Sequence, residues 1–266
     1  MKVWLSGIGI STAAVPDWES ARKFILGEST YEESEYRYRP PEMLHGAERR
    51  RAPASVKLAL DVAEQARAMA GIEGANLSAV FGSMTGDGPI VARSLVTLAD
   101  DPHYLSPTDF HNSVHNAAVG YWAIATGSRH GSTSVTAAEE SFPAALLKAA
   151  MQAACGETPV LLCVYEVPFP PPLEAQLPIP SPFGGALVLH GEKPDNSLAC
   201  LEISLFDGGA APDEPASRFW KRMFDLVPSA RIIPLLERLA QLQPGEQDEV
   251  TVGAVGSIGL AVKISR

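Results

Sequence analysis

Thr133-Ser134-Val135-Thr136-Ala137-Ala138-Glu139 is a β-prone run that passes directly into a helical one. Ser132–Thr136 reads as a strand and Glu139–Ala154 as the helix that leaves it. Pro143 is tolerated there because it lies in about the first turn, where no backbone N–H is needed. Glu139 and Glu140 put two carboxylates at the positive end of the helix dipole, which favours negative charge. A strand that turns sharply into a helix is the unit of an α/β fold, and its neighbours repeat it.

Upstream, Ser113–Thr126 is a helix rich in small residues (Ala117, Ala118, Gly120, Ala123, Ala125), which lets other elements approach closely. Pro89–Asp100 is a further helix, and Leu77–Ser83 a short buried strand that runs into a turn at Gly82, Gly86 and Gly88. The apolar spacing of Val56, Ala59, Leu60, Ala63 and Ala66 predicts a helix over Val56–Ala70, capped by Ser55 and ended by Gly71. Glu28–Glu42 is a charged surface excursion. Trp18–Leu26 is a helix with Asp17 as N-cap, and Val3–Ile10 the first strand. Downstream, Pro159–Val167 is a continuous apolar strand of the kind covered on both faces. The proline-dense Val167–Pro182 is an extended loop. Gly185–His190 and Leu198–Phe206 resume as strands, helical segments follow near Ser217–Phe224 and Ile232–Leu242, and Glu249–Ile264 closes with strand character. The alternation predicts an α/β domain with a mixed, largely parallel sheet and helices on both faces.

Composition limits the function. Of 266 residues, 46% are apolar and 20% charged, which suits one soluble domain with a sizeable core. The net charge of −10 and the absence of a basic–aromatic stripe argue against a nucleic-acid partner. Arg49-Arg50-Arg51 is the densest basic cluster and reads as a solvated helix start. No run of about 18 apolar residues is present to span a membrane. The N-terminal segment is broken by Ser6, Gly7 and Gly9, so it reads as a buried strand rather than a signal. Three unpaired cysteines, Cys155, Cys163 and Cys200, fit a reducing cytosol and behave as small buried hydrophobes. The expectation is a cytoplasmic protein.

The segments also resemble a known family. Leu105-Ser106-Pro107-Thr108-Asp109-Phe110-His111-Asn112-Ser113-Val114-His115-Asn116-Ala117-Ala118-Val119-Gly120 is similar to a stretch of the β-ketoacyl-acyl-carrier-protein synthases, with its proline, asparagine, small residues and glycine. Thr133–Glu139 follows at the family's spacing and resembles its strand-to-helix turn, Thr-Ala-Cys-Ser-Ser. Val3–Ile10, Arg51–Ala66, Val80–Gly88 and Phe183-Gly184-Gly185-Ala186-Leu187-Val188-Leu189 resemble the family's other segments, in order. The resemblance covers about residues 1–205 and implies one half of a thiolase fold, an α-β-α layered domain lacking the second half. Residues 207–266 then form a divergent extension of a single domain, 1–266.

The resemblance places the condensing cysteine of the family at Ala138. That cysteine acts as a thiolate, made acidic by the helix start, and backbone N–H groups hold the developing oxyanion. Ala138 offers neither thiol nor hydroxyl. The family's two acid–base histidines are also missing, since His190 is the last histidine. His130-Gly131-Ser132-Thr133 mimics one family histidine segment but precedes the elbow.

Three functions stay open. The first is a non-catalytic chain-length-factor subunit that pairs with an active ketosynthase, as in aryl polyene, polyketide or fatty acid type systems. It meets acyl carrier protein through that partner, and Thr108, Asp109, Phe110, His111, Ser113, His115, Asn116 and Thr136 border the interface and acyl tunnel. The second is a thioester-processing enzyme with Glu139 as base, against the plainer reading of Glu139 as a carboxylate satisfying free helix N–H groups. The third is a homodimeric acyl-binding scaffold. His111 and His115, at i and i+4, can share a helix face as metal ligands, but no third ligand suggests itself, and packing or interface contact is the simpler reading. No metal and no cofactor are called for.

Overall fold

A computed structural model describes residues 1–13, 15–30, 34–101 and 104–266. The predicted excursion Glu28–Glu42 falls partly on residues 31–33, outside the described ones. The strands are β1 (Lys2–Thr12), β2 (Ser78–Gly82), β3 (Ser132–Val135), β4 (Val160–Glu166), β5 (Phe183–His190), β6 (Ala199–Asp207), β7 (Gln247–Val255) and β8 (Ile258–Ser265). The helices are α1 (Trp18–Ile25), α2 (Gly46–Arg51), α3 (Ala54–Ala70), α4 (Gly88–Asp100), α5 (Pro107–Asn112), α6 (Ala117–Thr126), α7 (Ser141–Cys155), α8 (Arg218–Leu226) and α9 (Ile233–Gln241).

All eight strands join one mixed sheet in the order β3-β2-β4-β5-β1-β6-β8-β7. Only β2–β3 and β2–β4 pair parallel; β4–β5, β5–β1, β1–β6, β6–β8 and β8–β7 are antiparallel. The expectation of a largely parallel sheet is therefore corrected. The helical crossovers sit at the β2–β3–β4 end, and hairpin-like returns build the rest. Outward from the central pair β1–β6, the pattern β1-β5-β4 is repeated as β6-β8-β7, each step antiparallel. Residues 207–266 thus extend the same sheet.

One apolar core lies on the face shared by α7, α8 and α9, and includes Leu146, Leu162, Leu187, Leu201, Val262 and Leu236. The second lies under α3 and α6 and holds Leu58, Val62, Ala66, Phe81, Trp122 and Val188. Each fully buried Leu or Val in these layers stabilises the fold by about 1.5–3 kcal/mol. Beyond β1, the face opposite the first core exposes Glu202, Ser204 and Lys263, together with Phe206.

Glycine explains how α3 lies so close to β1. A Cβ at Gly9 would stand 2.1 Å from the Val62 carbonyl oxygen, and one at Gly7 would stand 2.0 Å from that of Ala66. Three local expectations change. Ser55 lies inside α3, whose N-cap is Pro53, and its hydroxyl donates instead to Asp87 at 2.6 Å. Arg49, Arg50 and Arg51 are exposed as expected but form the last turn of α2, where cations suit the dipole. Cys163 and Cys200 are buried, whereas Cys155 is exposed.

Candidate functional site: the elbow after β3 and the groove beside it

β3 ends at Val135, and Ala137, with φ of −151° and ψ of 41°, has already left the extended conformation. Ala138 then turns to φ +50°, and it is the one non-glycine residue with positive φ among the described residues. A left-handed alanine costs about 1–2 kcal/mol, so the surroundings must impose it. Ser141 does so in part: its hydroxyl donates to the Ala138 carbonyl at 2.6 Å and accepts the Ala137 N–H at 3.1 Å. A strained strand-to-helix turn of this kind presents a nucleophile above a helix start. Here the presented side chain is a methyl group, and it is exposed.

The two carboxylates of the elbow diverge. Glu139 is exposed and makes no hydrogen bond or ion pair among the described residues. Glu140 accepts the backbone N–H of Gly256, in the β7–β8 turn, at 2.9 Å. A small cleft of about 160 Å³ separates the two parts and is lined by Glu139, Glu140, Arg231 and Gly253 among others.

The elbow rests on the loop Ser83–Asp87 that follows β2. Ser83 N–H donates to the Val135 carbonyl at 3.1 Å, and the Thr136 hydroxyl donates to the Met84 carbonyl at 3.3 Å. His115 Nε2 donates to the Ser83 carbonyl at 2.8 Å. Beneath the loop lies Glu166, the last residue of β4 and fully buried, which accepts from Met84 N–H and from the Thr85 hydroxyl. Burial pushes its carboxyl up to about 7, against the opposing pull of these donors.

The remaining predicted residues lie around α5 and the start of α6. Asp109 is held by Arg93 of α4 in a two-pronged pair at 2.9 and 2.8 Å, which keeps its carboxyl below the usual range. Ser113 donates to the Phe110 carbonyl at 2.9 Å. Phe110 is 63% exposed, Thr108, His111 and Asn116 are exposed too, and the His111 ring meets that of Tyr121 edge-on at 6.5 Å. Thr108, Phe110, His111 and Asn116 come together in one groove of about 760 Å³, with Arg51, Val114, Tyr121 and Ile124. Asp109, Ser113, His115 and Thr136 do not line it. His111 and His115 face different partners, so they do not form one ligand pair.

Sequence reasoning missed Glu166, Asp87 and Asn112. Asn112 is buried, accepts the Tyr121 hydroxyl at 3.1 Å and donates to the Arg51 carbonyl at 3.4 Å, tying α2, α5 and α6 together. The available signal for Glu166 was a lone carboxylate ending an otherwise apolar strand.

The family model of the β-ketoacyl synthase N-terminal domain matches residues 28–208. The chain belongs to this family. In this β-ketoacyl synthase domain the strained turn after β3 carries only the methyl group of Ala138. Solved structures show the same fold over the full length. A ketosynthase (ApeO) in complex with its chain length factor (ApeC) from Xenorhabdus doucetiae gives a TM-score of 0.68 at 18% identity, covering 100% of both chains. The ishigamide ketosynthase/chain length factor gives 0.74 at 13%, covering 99% of both. A type II polyketide synthase acyl-carrier protein in complex with its ketosynthase bound to the hexaketide gives 0.75 at 12%, again over 99% of both. The search of curated proteins found no match. No helix among the described residues is long and apolar enough to cross a membrane.

Proposed function

We propose that this chain is a non-catalytic, chain-length-factor-like subunit that pairs with an active ketosynthase and shapes its acyl tunnel. In this role it works in the cytoplasm, in a polyketide, aryl polyene or fatty acid type pathway, and meets acyl carrier protein through its partner. The observation that carries the reading is an apolar groove wall: Phe110 of α5, Val114, and Ile124 of α6 line the same groove and are exposed, Ile124 by 68%. Leu95, Val96 and Leu98 of α4 are exposed as well. Large apolar side chains gathered on one side of a protein mark an interaction surface. The edge strand β3 lies at the same end of the sheet, with one side unpaired. Ala138 supplies no attacking atom there, and Glu139 is exposed with no hydrogen bond or ion pair among the described residues.

The test is co-expression with a ketosynthase encoded beside this chain, followed by size-exclusion chromatography. A heterodimer is expected, and Ile124→Asp should abolish it while leaving the circular dichroism spectrum of the free subunit unchanged. Mass spectrometry after incubation with acyl and malonyl carrier protein should show no covalent adduct on this chain. Absence of a heterodimer would falsify the reading, and a stable homodimer would favour the scaffold instead.

A further inference from the structure

We propose that Glu166 is the positioning residue of the partner face: its carboxylate fixes the loop Ser83–Asp87, and the loop in turn sets the elbow and the start of α6 relative to one another. Pairing through that face then depends on pH near neutrality, a consequence that rests on the reading above.

The geometry is a hub. From below, Glu166 takes the Met84 N–H and the Thr85 hydroxyl, the latter at 2.7 Å. From above, the same loop offers the Met84 carbonyl to Thr136 and the Ser83 carbonyl to His115. Its far end is Asp87, which caps α4 by accepting Ile90 N–H at 2.8 Å and receives the Ser55 hydroxyl of α3. The Ser83 hydroxyl accepts Gly86 N–H at 2.9 Å, closing the loop on itself. Strand β3, α3, α4 and α6 therefore take their relative positions from five residues held by one buried carboxyl.

Among the described residues, no second carboxylate donates or accepts at Glu166. The charged or titratable groups packed nearby are Asp87, already engaged with Ser55 and Ile90; His115, turned to the Ser83 carbonyl; and Tyr165 and Cys163 of β4, both buried and both raised by burial. β5 presents Phe183 opposite Glu166, and Arg231 lies over the Phe224 ring at 4.8 Å. Among these neighbours the carboxyl thus has hydrogen-bond donors and no paired cation. Its ionised form is held by the Thr85 hydroxyl and the Met84 N–H, with the Ser83 hydroxyl and the Thr85 N–H adding to them, and burial opposes that charge. When neutral, one of its oxygens becomes a donor and the Thr85 hydroxyl must reverse. The loop is then held by a weaker, uncharged set.

The experiment has two arms. In the free chain, hydrogen exchange of the Met84 and Thr85 amides is measured at pH 6 and 8, corrected for intrinsic rates. Glu166→Ala is expected to speed both at least tenfold. Thr85→Val, which removes one contact and leaves the buried carboxyl in place, should speed them by less. Glu166→Gln, which keeps one acceptor, should abolish the difference in protection between pH 6 and 8 seen in the wild type. In the second arm, the dissociation constant of the ketosynthase heterodimer should differ several-fold between pH 6 and 8 for the wild type and not for Glu166→Gln. Wild-type exchange in Glu166→Ala, or a pH dependence that survives Glu166→Gln in either arm, overturns the proposal. If no heterodimer forms at any pH, the pairing reading fails, and the first arm still decides the role of Glu166.

Discussion

The Glu140 carboxylate accepts the backbone N–H of Gly256 at 2.9 Å, so the elbow of the N-terminal half is tied to the hairpin that ends the chain. The two residues are 116 positions apart, and the contact makes the C-terminal hairpin part of the elbow's support.

Removing that contact loosens the hairpin. Glu140→Ala is expected to lower stability by about 1 kcal/mol, the usual net worth of one partly exposed hydrogen bond to a charged group. Urea denaturation measures the loss. Hydrogen exchange should rise at residues 254–258 and remain unchanged in β1. An unaltered exchange rate at Gly256 would show that the contact holds nothing.

A thiol introduced at position 138 would feel two opposed fields. In Ala138→Cys, the helix start lowers the pKa of the new thiol, and the neighbouring Glu139 carboxylate raises it. With the group exposed, the expected pKa stays near the ordinary ~8.5. Glu139→Gln in the same background should lower it. The pH profile of iodoacetamide labelling, read at position 138 by peptide mass spectrometry, separates the introduced thiol from the exposed Cys155. A pKa well below the ordinary thiol range with Glu139 in place would contradict this. Condensing activity is expected to remain absent, and product formed by the variant from acyl and malonyl carrier protein would contradict the non-catalytic reading.

Much of this was legible in the sequence, for identifiable reasons. The elbow was found because β-prone residues change to helix formers across Thr136–Glu139, and the left-handed backbone at Ala138 marks the turn between them. Helix α3 was found from its apolar spacing. The sheet direction was not, because an apolar strand such as β4 reads alike in parallel and antiparallel pairings; Pro159–Val167 is covered on both faces, yet pairs antiparallel with β5. Ser55 misled because serine before an apolar run resembles a cap, and its true acceptor, Asp87, is 32 residues away. The groove joins Arg51 to residues of α5 and α6 through Asn112, and no local pattern announces that contact.

Gly9 tests the packing of α3 on β1. A methyl group placed there meets the Val62 carbonyl oxygen at 2.1 Å, and that backbone lies within a helix buried on its inner face. Gly9→Ala should therefore destabilise the protein by roughly 3 kcal/mol or more, at the upper end for single substitutions. Loss of soluble protein or a large drop in Tm is the expected result. A Tm within a degree or two of wild type would mean that α3 shifts freely.

The pair Arg93–Asp109 fixes α5 to α4. Arg93 is more than half exposed, so solvent screening limits the pair to about 0.5–1 kcal/mol. The folded state depresses the Asp109 carboxyl, so this stability is present above the ordinary value of 3.8 and is lost as pH falls through the lower folded value. Asp109→Asn should cost that amount at pH 7 in urea denaturation, with the difference from wild type vanishing once the pH has fallen below the depressed folded value. A difference that grows toward acid would reverse the assigned sign.

Phe110 tests the tunnel reading directly. Its ring is 63% exposed on the groove, beside Thr108 and His111, and makes none of the hydrogen bonds that hold α5 in place. Those are made by Asp109, Asn112 and Ser113. Phe110→Ala should therefore leave the subunit folded, with a stability change within about 0.5 kcal/mol, as for other exposed positions. In the heterodimer, removing a bulky ring from the end of an apolar tunnel deepens the space open to the growing chain. Products made by the wild-type and variant complexes, compared by mass spectrometry, should shift to longer acyl chains. Phe110→Trp should shift them shorter. Identical product lengths from intact complexes would remove Phe110 from the tunnel wall and leave it as a pairing residue, in which case the same substitution should weaken the heterodimer instead.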